Sequence, residues 1–185
     1  RKTTAQKNLC LAGGVALNCV ANGKLLRENI FDKIWIQPAS GDAGGAIGAA
    51  LGGYYLMLNQ SRTVKAGDSM KGSYVGPNYA QDIIEDRLKA AGAVFTVTNE
   101  YDMIAQTAQA LANGKAVGWH QGRMEFGPRA LGGRSILADP RSSTVQKQLN
   151  LKVKYRESFR PFAPSVLSEK VSEWFDLVGD SPYML

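Results

Sequence analysis

The sequence is poor in cysteine and histidine, the residues that form disulfide cross-links or bind a metal ion. Its 185 residues include one histidine, His120, and two cysteines, Cys10 and Cys19, which form no CxxC pair. A disulfide framework and a cysteine-based zinc site are therefore excluded, and no cluster of histidines can form. We expect both thiols to stay reduced and the protein to be cytoplasmic.

Long apolar runs are also lacking. The most apolar uncharged run, residues 43–58, is shorter than the ~20 residues that cross a bilayer, and glycines and two tyrosines interrupt it. We therefore expect neither a secretory signal nor a membrane partner. The chain starts without Met and stops after an apolar stretch, so we expect a piece of a larger protein. With 44% apolar and 21% charged residues, it has the composition of a globular protein with a sizeable core.

Positive charge is concentrated in the middle of the chain. The net charge is +6, but residues 114–160 carry ten basic and three acidic residues, a local net charge of +7. The rest of the chain is therefore slightly acidic. Such asymmetry indicates an anionic partner, which would be a phosphorylated small molecule, a nucleic acid or a membrane surface.

The hydrophobic pattern predicts an α/β fold, with strands that alternate with helices. The predicted elements of the first third are a strand at 8–12, a helix at 15–29, a strand at 33–36 and a small-residue helix at 42–58. Residues 59–79 are polar and aperiodic, which is typical of a connector. The elements predicted beyond it are a helix at 80–91, a strand at 93–98, a helix at 102–113, strands at 116–119 and 134–138, a helix at 143–151 and a helical turn at 171–175.

Two glycine-rich segments follow the first two strands. Gly13 and Gly14 stand where a strand meets a helix, so their N–H groups could approach a phosphate, or they could simply form a tight turn. Asp42 begins the small-residue helix, followed by Gly44 and Gly45. Asp42 is either a helix cap or a hard oxygen ligand for a metal. The glycines either allow close packing or let a ligand lie against the backbone.

The segment 122–135, which we call the arginine loop, combines three arginines, one glutamate and four glycines, and Pro128 keeps it from forming a simple helix. Arginine forks suit phosphate or carboxylate, and Glu125 could orient one of them or remain as a salt-bridge partner. The alternative is a surface loop with solvated charges, although such a loop rarely concentrates glycines with arginines. Trp119, Trp174, Phe159 and Phe162 are expected in the core.

A second basic segment, residues 152–164, follows soon after. If it is extended, Lys152, Lys154 and Arg156 lie on one face, and Arg160 precedes a proline. Glu157 could pair with either arginine. The segment is either a solvated edge strand or, together with the arginine loop, part of a shared anion pocket.

Four segments together resemble the NodU/CmcH family of O-carbamoyltransferases. They read LAGGVALN (residues 11–18), SGDAGGAIGAA (40–50), MEFGPRALGGRSIL (124–137) and VKYRESFRPFAPSV (153–166). The resemblance covers nearly the whole chain in family order, and its last two motifs are long and specific. The first two are shared with a wider group of proteins that handle carbamoyl-adenylate, including tRNA threonylcarbamoyl transferases.

The resemblance implies two domains. Residues 1–62 would be the C-terminal part of an actin/hexokinase-like ATPase domain, 63–79 a linker, and 80–185 the N-terminal part of a YrdC-like α/β domain. In the family, the YrdC-like domain forms carbamoyl-adenylate from carbamoyl phosphate and ATP, and the first domain passes the carbamoyl group to a hydroxyl of a small-molecule acceptor. The cofactors would be ATP and a divalent metal, iron by analogy. The family's metal-binding histidine pair and its C-terminal anion-binding residues have no counterpart here, so we expect the missing N- and C-terminal parts of the polypeptide to supply them.

The resemblance also implies roles for individual residues. Those expected to line the nucleotide are Gly13, Gly14, Asn18, Gly44 and Gly45. Asp42 would be a metal ligand. Lys154 and Arg160 would hold carbamoyl phosphate and act in catalysis, with Arg129 and Arg134 as supporting substrate-binding residues. A Lys/Arg pair of this kind would bind a phosphate dianion and stabilise its developing charge.

Two other functions remain open from the sequence. The basic segment also allows an RNA-binding YrdC-like module, although nucleic-acid binders usually spread charge along a stripe with exposed aromatics. The chain could instead be a regulatory or structural fragment without catalysis, which would fold but bind ligands weakly.

Overall fold

The computed structural model describes residues 1–177 and 179–185, and it combines helices with two small sheets. The elements in chain order are β1 (Asn8–Leu11), a 3-10 turn (Gly14–Leu17), α1 (Cys19–Arg27), β2 (Lys33–Ile36), α2 (Asp42–Gly52), a π-helical turn (Gly53–Met57), a 3-10 turn (Lys71–Ser73), α3 (Gln81–Ala90), α4 (Glu100–Ala112), β3 (Val117–His120), β4 (Arg134–Leu137), α5 (Val145–Lys152), a 3-10 turn (Ser168–Lys170) and α6 (Val171–Trp174). This mixture confirms the α/β class. None of the helices in the described part is long and apolar enough to cross a membrane.

The chain forms two compact units. The first unit comprises Arg1–Pro77, Arg123–Leu131 and Ser181–Leu185. The second comprises Asn78–Gly122 and the described residues of Gly132–Asp180. The boundaries 1–62, 63–79 and 80–185 stay a prediction.

In the first unit, β1 and β2 pair in parallel, with Asn8 opposite Lys33 and Leu11 opposite Ile36. A helix connects them, as the alternation of patterns predicted. The predicted helix 15–29 is interrupted at Asn18, where the 3-10 turn ends and α1 begins. The side-chain oxygen of Asn18 accepts a hydrogen bond from the N–H of Ala21 at 3.1 Å, which is how an N-cap starts a new helix.

The small-residue helix α2 forms as predicted and continues past Gly52 as the π-helical turn. Its N-cap is Gly41, so Asp42 is the first residue of the helix and not its cap. Side chains at the end of this segment are apolar and exposed, and Leu56 and Met57 each retain 81% of their accessible surface.

In the second unit, β3 and β4 pair antiparallel, with His120 opposite Arg134. The strand predicted at 93–98 is wrong. These residues form no ladder with another described strand, and Val94 is fully exposed. A run rich in Val and Thr favours a pleated surface, but only a neighbouring strand makes it a strand.

The extended form of residues 152–156 is also wrong. Helix α5 continues through Lys152, and the N–H of Lys154 donates to the carbonyl of Leu149 at 2.9 Å. Tyr155 then has φ +49°, a left-handed conformation that reverses the chain direction. The basic residues therefore do not alternate along a strand.

The buried core is smaller than the composition predicts. Among the described residues, the buried apolar side chains are Ala16, Ala39 and Leu149. Trp174 and Phe159, both expected in the core, are 75% and 77% exposed. Each sheet has two strands, so neither has the breadth to cover large aromatic side chains.

Candidate functional site

The glycine turn of the first unit is open to solvent. Gly13 has φ +92°, which glycine adopts without strain, and it precedes the 3-10 turn. A Cβ placed on Gly13 or Gly14 would meet nothing within 4 Å. A ligand could therefore lie directly against this backbone. Asn18, the third predicted residue here, is exposed and uses its side chain to cap α1.

The two glycines of α2 stand in opposite surroundings. A Cβ on Gly44 would lie 2.2 Å from the carbonyl oxygen of Ala39, so this position is closed by packing against the preceding loop. A Cβ on Gly45 would meet nothing within 4 Å. The structure therefore gives Gly44 a packing role and leaves Gly45 free to face a ligand. Asp42 is exposed beside them.

The segment Arg123–Leu131 of the arginine loop packs within the first unit. The N–H of Phe126 donates to the carbonyl of Ser73 at 2.7 Å, and the N–H of Gly76 donates to the carbonyl of Met124 at 3.0 Å. Arg123 adds a side-chain hydrogen bond to the Gly76 carbonyl at 2.9 Å. Residues 73–77, which fall in the predicted linker, are thus paired with the arginine loop.

Glu125 is 4% exposed and accepts a hydrogen bond from the N–H of Leu131 at 2.7 Å. It therefore closes the turn of its own loop. The sequence predicted that Glu125 orients an arginine or forms a salt bridge, and it did not reveal this contact with the backbone of its own loop.

Arg129 reaches from this segment to the glycine turn. Its Nη2 donates to the carbonyl of Leu17 at 2.8 Å, directly before Asn18. Its Nε is buried and has no hydrogen-bond partner among the described residues, and the same holds for the Oγ of Ser40. Buried polar atoms of this kind usually have a partner, so each of these two needs one that the described residues do not supply. Ser40 was missed by the sequence analysis, although it immediately precedes Gly41 and Asp42.

The second unit holds the remaining predicted residues, which are Arg134, Lys154 and Arg160. Arg134 is half-buried at the first position of β4. Lys154 and Arg160 lie on residues 153–160, which we call the basic loop. Both side chains are exposed.

Charge in the basic loop is partly neutralised. The Nε of Arg160 lies 2.8 Å from a carboxylate oxygen of Glu157, with both side chains about half exposed. A backbone hydrogen bond of Glu157 itself, together with the hydrogen bond and charge of Arg160, lowers the pKa of Glu157. The guanidinium of Arg156 stacks over the ring of Phe162, 4.9 Å from its centroid. Lys154 has no ion pair with a described residue, which leaves its ammonium available to an anion.

Helix α5 anchors the basic loop through two residues that the sequence analysis missed. Asn150 is fully buried, and its amide bonds to the loop at Arg156, Ser158 and Arg160. Gln146, one turn earlier, donates to the carbonyls of Phe159 and Arg160, each at 3.1 Å. The detectable signal was a pair of amide side chains four residues apart, which places them on one helix face.

The predicted residues thus fall into two groups. The first unit holds Gly13, Gly14, Asn18, Asp42, Gly44, Gly45 and Arg129, and the second holds Arg134, Lys154 and Arg160. Two shallow grooves of the second unit, one along residues 172–177 and one between α3 and residues 95–98, contain none of these side chains.

A metal site is not completed by the described residues. Asp42 offers one carboxylate, but the described part of the chain contains no group of three Asp, Glu, His or Cys side chains that could hold an ion. A protein metal site usually needs three or more such ligands.

Comparison with known proteins relates both ends of the chain to one group of proteins. Residues 1–51 match the family described as carbamoyltransferase N-terminus, and residues 108–185 match carbamoyltransferase C-terminus. The chain is similar to an uncharacterized protein of Synechocystis sp., with 61% identity over 97% of this chain and 29% of that protein. It is also similar to the nodulation protein NolNO of Sinorhizobium fredii (48% identity; 94% of this chain, 25% of that protein) and to nodulation protein U of Rhizobium fredii (38%; 97% and 28%). The chain therefore spans about a quarter to a third of the length of these relatives.

Proposed function

Because this chain belongs to the carbamoyltransferase family, as its motifs predicted, we propose that it is part of an O-carbamoyltransferase that uses carbamoyl phosphate and ATP. Carbamoyl-adenylate would form in two steps: water would cleave carbamoyl phosphate to carbamate and inorganic phosphate, and the carbamate oxygen would then attack the α-phosphorus of ATP and release pyrophosphate. A hydroxyl oxygen of a small-molecule acceptor would then attack the carbamoyl carbon, and AMP would leave. In fold terms, residues 1–62 would belong to an actin/hexokinase-like domain and residues 80–185 to a YrdC-like domain.

The observation that carries this proposal is the basic loop. Its backbone is held by the buried Asn150, while Lys154 and Arg160 remain exposed at its two ends. A phosphate dianion needs cationic donors that keep their positions, because such donors stabilise charge without reorganising. Lys154 would bind as a point charge, and Arg160 would exchange its Glu157 partner for phosphate oxygens.

The first unit fits a nucleotide. Open backbone at Gly13, Gly14 and Gly45 lets a phosphate approach N–H groups, and the buried Arg129 Nε and Ser40 Oγ supply two donors without partners in the described chain. When bound, ATP supplies the adenylate that activates the carbamoyl group. Asp42 would add one oxygen ligand to a metal, with its other ligands from elsewhere in the longer protein, and no step proposed here depends on that metal.

Calorimetric titration of the intact protein with carbamoyl phosphate tests the proposal. Hydrogen bonds to charged groups are worth about 1.5–3 kcal/mol, so Lys154→Ala or Arg160→Ala should weaken binding roughly 10- to 150-fold. Lys147→Ala removes one exposed charge from α5 and is the matched control, with unchanged affinity expected. Wild-type affinity in both loop variants would overturn the assignment.

One observation favours RNA binding as a second candidate. Tyr155 and Phe159 are 85% and 77% exposed beside the cations of the basic loop, and bases stack on such rings. If this function is correct, Tyr155→Ala should weaken binding of a single-stranded oligonucleotide, and the logarithm of its affinity should fall with that of salt concentration at about 0.7 per phosphate contacted. Tight carbamoyl phosphate binding without oligonucleotide binding would favour the transferase.

A further inference from the structure

Asn150 is the one large side chain that is completely buried in the described part of the chain, and it is polar. It lies near the end of α5, next to the buried Leu149. A primary amide has two donor hydrogens and an acceptor oxygen, and burying them without partners is costly. The hydrogen-bond partners of Asn150 therefore show which part of the chain it anchors.

All of its side-chain bonds go to the basic loop. Nδ2 donates to the carbonyls of Ser158 at 3.2 Å and Arg160 at 2.8 Å. Oδ1 accepts from the Nε of Arg156 at 2.6 Å. The backbone carbonyl of Asn150 also accepts from the N–H of Arg156, at 2.9 Å. One residue thus contacts the loop at three points.

These bonds discriminate between asparagine and its isosteres. The two carbonyl oxygens accept from N–H donors, and the guanidinium donates to an acceptor oxygen. Of the side chains of this size and shape, only an amide provides both donors and an acceptor. Aspartate would keep the acceptor for Arg156 but turn an oxygen toward the carbonyls of Ser158 and Arg160. Asn150→Asp therefore removes both donors to the Ser158 and Arg160 carbonyls without removing volume.

The loop would not keep its conformation unaided. Tyr155 has φ +49°, which a residue with a Cβ rarely adopts, and because it is 85% exposed, little packing offsets this strain. Such conformations persist where the surroundings determine them, and they cluster at ligand-binding sites. Here the bonds of Lys154 and Arg156 to the last turn of α5 enclose Tyr155 on both sides.

We propose that Asn150 is a positioning residue that fixes the basic loop so that Lys154 and Arg160 meet the phosphate of carbamoyl phosphate in one arrangement. The inference rests on the proposed function of those two side chains. Asn150 touches no substrate. It acts on Arg160 through the carbonyl of that residue and on Lys154 through the turn beside it.

The test compares Asn150→Asp and Asn150→Ala with Gln148→Ala, an exposed position of the same helix, in the intact protein. Carbamoyl phosphate affinity, KM and kcat are measured well below each variant's unfolding temperature. Loss of positioning by about an ångström should raise Kd and KM roughly 10- to 100-fold for both Asn150 variants. Gln148→Ala should match the wild type.

A residue with only a structural role would lower the unfolding temperature and leave Kd and KM of the folded protein unchanged, which would overturn the inference. Should both Asn150 variants fail to fold, Gln146→Ala serves instead, because it removes exposed donors to the Phe159 and Arg160 carbonyls. A two- to five-fold rise in Kd is then expected, because the variant loses neutral hydrogen bonds while Asn150 still holds the Arg160 carbonyl. Wild-type affinity in folded Gln146→Ala would count against the inference.

The same titrations separate this inference from the function on which it rests. If Lys154→Ala and Arg160→Ala bind carbamoyl phosphate as the wild type does, the proposed function fails, whatever Asn150 does. If those variants lose binding and folded Asn150 variants do not, only the positioning role fails.

Discussion

Replacing Gly44 with alanine tests whether this glycine serves packing. The new Cβ would lie 2.2 Å from the carbonyl oxygen of Ala39 and 3.1 Å from its carbonyl carbon, and real Cβ atoms essentially never come within 3.0 Å of another heavy atom. Both neighbours are backbone atoms, so α2 or the preceding loop must shift. We take the upper end of overpacking costs, about 3 kcal/mol. Alanine regains ~1 kcal/mol inside a helix, which leaves a net loss of about 2 kcal/mol.

Gly45 is the matched control, because it is the next residue of the same helix and has open space at its Cβ position. Gly45→Ala should stabilise the protein by roughly 0.5–1 kcal/mol through helix propensity alone. Urea unfolding of the intact variants, compared at equal m-value, should therefore give shifts of opposite sign. A Gly44→Ala protein as stable as Gly45→Ala would refute the packing argument.

ATP titration of the same two proteins separates packing from ligand contact. If Gly45 lies against the nucleotide, its alanine variant should bind ATP more weakly although it is more stable. Unchanged ATP affinity in Gly45→Ala would remove that residue from the nucleotide site. A stability gain accompanied by a binding loss is an outcome that a purely structural role cannot produce.

Three further predictions concern single side chains. Asn18→Ala should lower the unfolding free energy by about 1 kcal/mol because α1 loses its N-cap, whereas Asn18→Ser should retain the cap. If ATP affinity falls in neither variant, Asn18 does not contact the nucleotide. Glu157→Gln should free Arg160 from its ion pair and tighten carbamoyl phosphate binding about two- to five-fold at low salt, with a smaller gain at high salt. Weaker binding would mean that the carboxylate positions the arginine instead. Burial and the hydrogen bond to Asp68 raise the pKa of Tyr183 to about 12, above its ordinary value of 10. The contribution of the neutral phenol to the stability of the folded protein is therefore complete below pH 10 and is lost as pH rises toward 12. Tyr183→Phe should therefore cost about 1 kcal/mol at neutral pH and abolish the last phenol to ionise in an ultraviolet titration, and an unchanged titration would contradict the pairing with Asp68.

Local patterns were enough to predict most elements of this chain. The apolar run at β1, the KIWI segment at β2 and the small-residue run at α2 each formed as predicted, because periodicity and turn residues act over a few neighbours. The predicted strand at 93–98 failed for the complementary reason. Strand formation depends on a partner elsewhere in the chain, which a local pattern does not contain.

The residues of the candidate site were predictable in type and not in arrangement. Residue order alone shows that arginines, lysines and glycines concentrate in two motifs, and their charge predicts an anion as the partner. The folded structure was needed to show that Arg123–Leu131 packs with the first unit, since this packing depends on hydrogen bonds to residues about fifty positions earlier in the chain. It likewise decided that Gly44 serves packing and that Asn150 holds the basic loop. Burial and hydrogen-bond partners are properties of the folded chain, because they arise from residues that are distant in sequence and meet only when the chain folds.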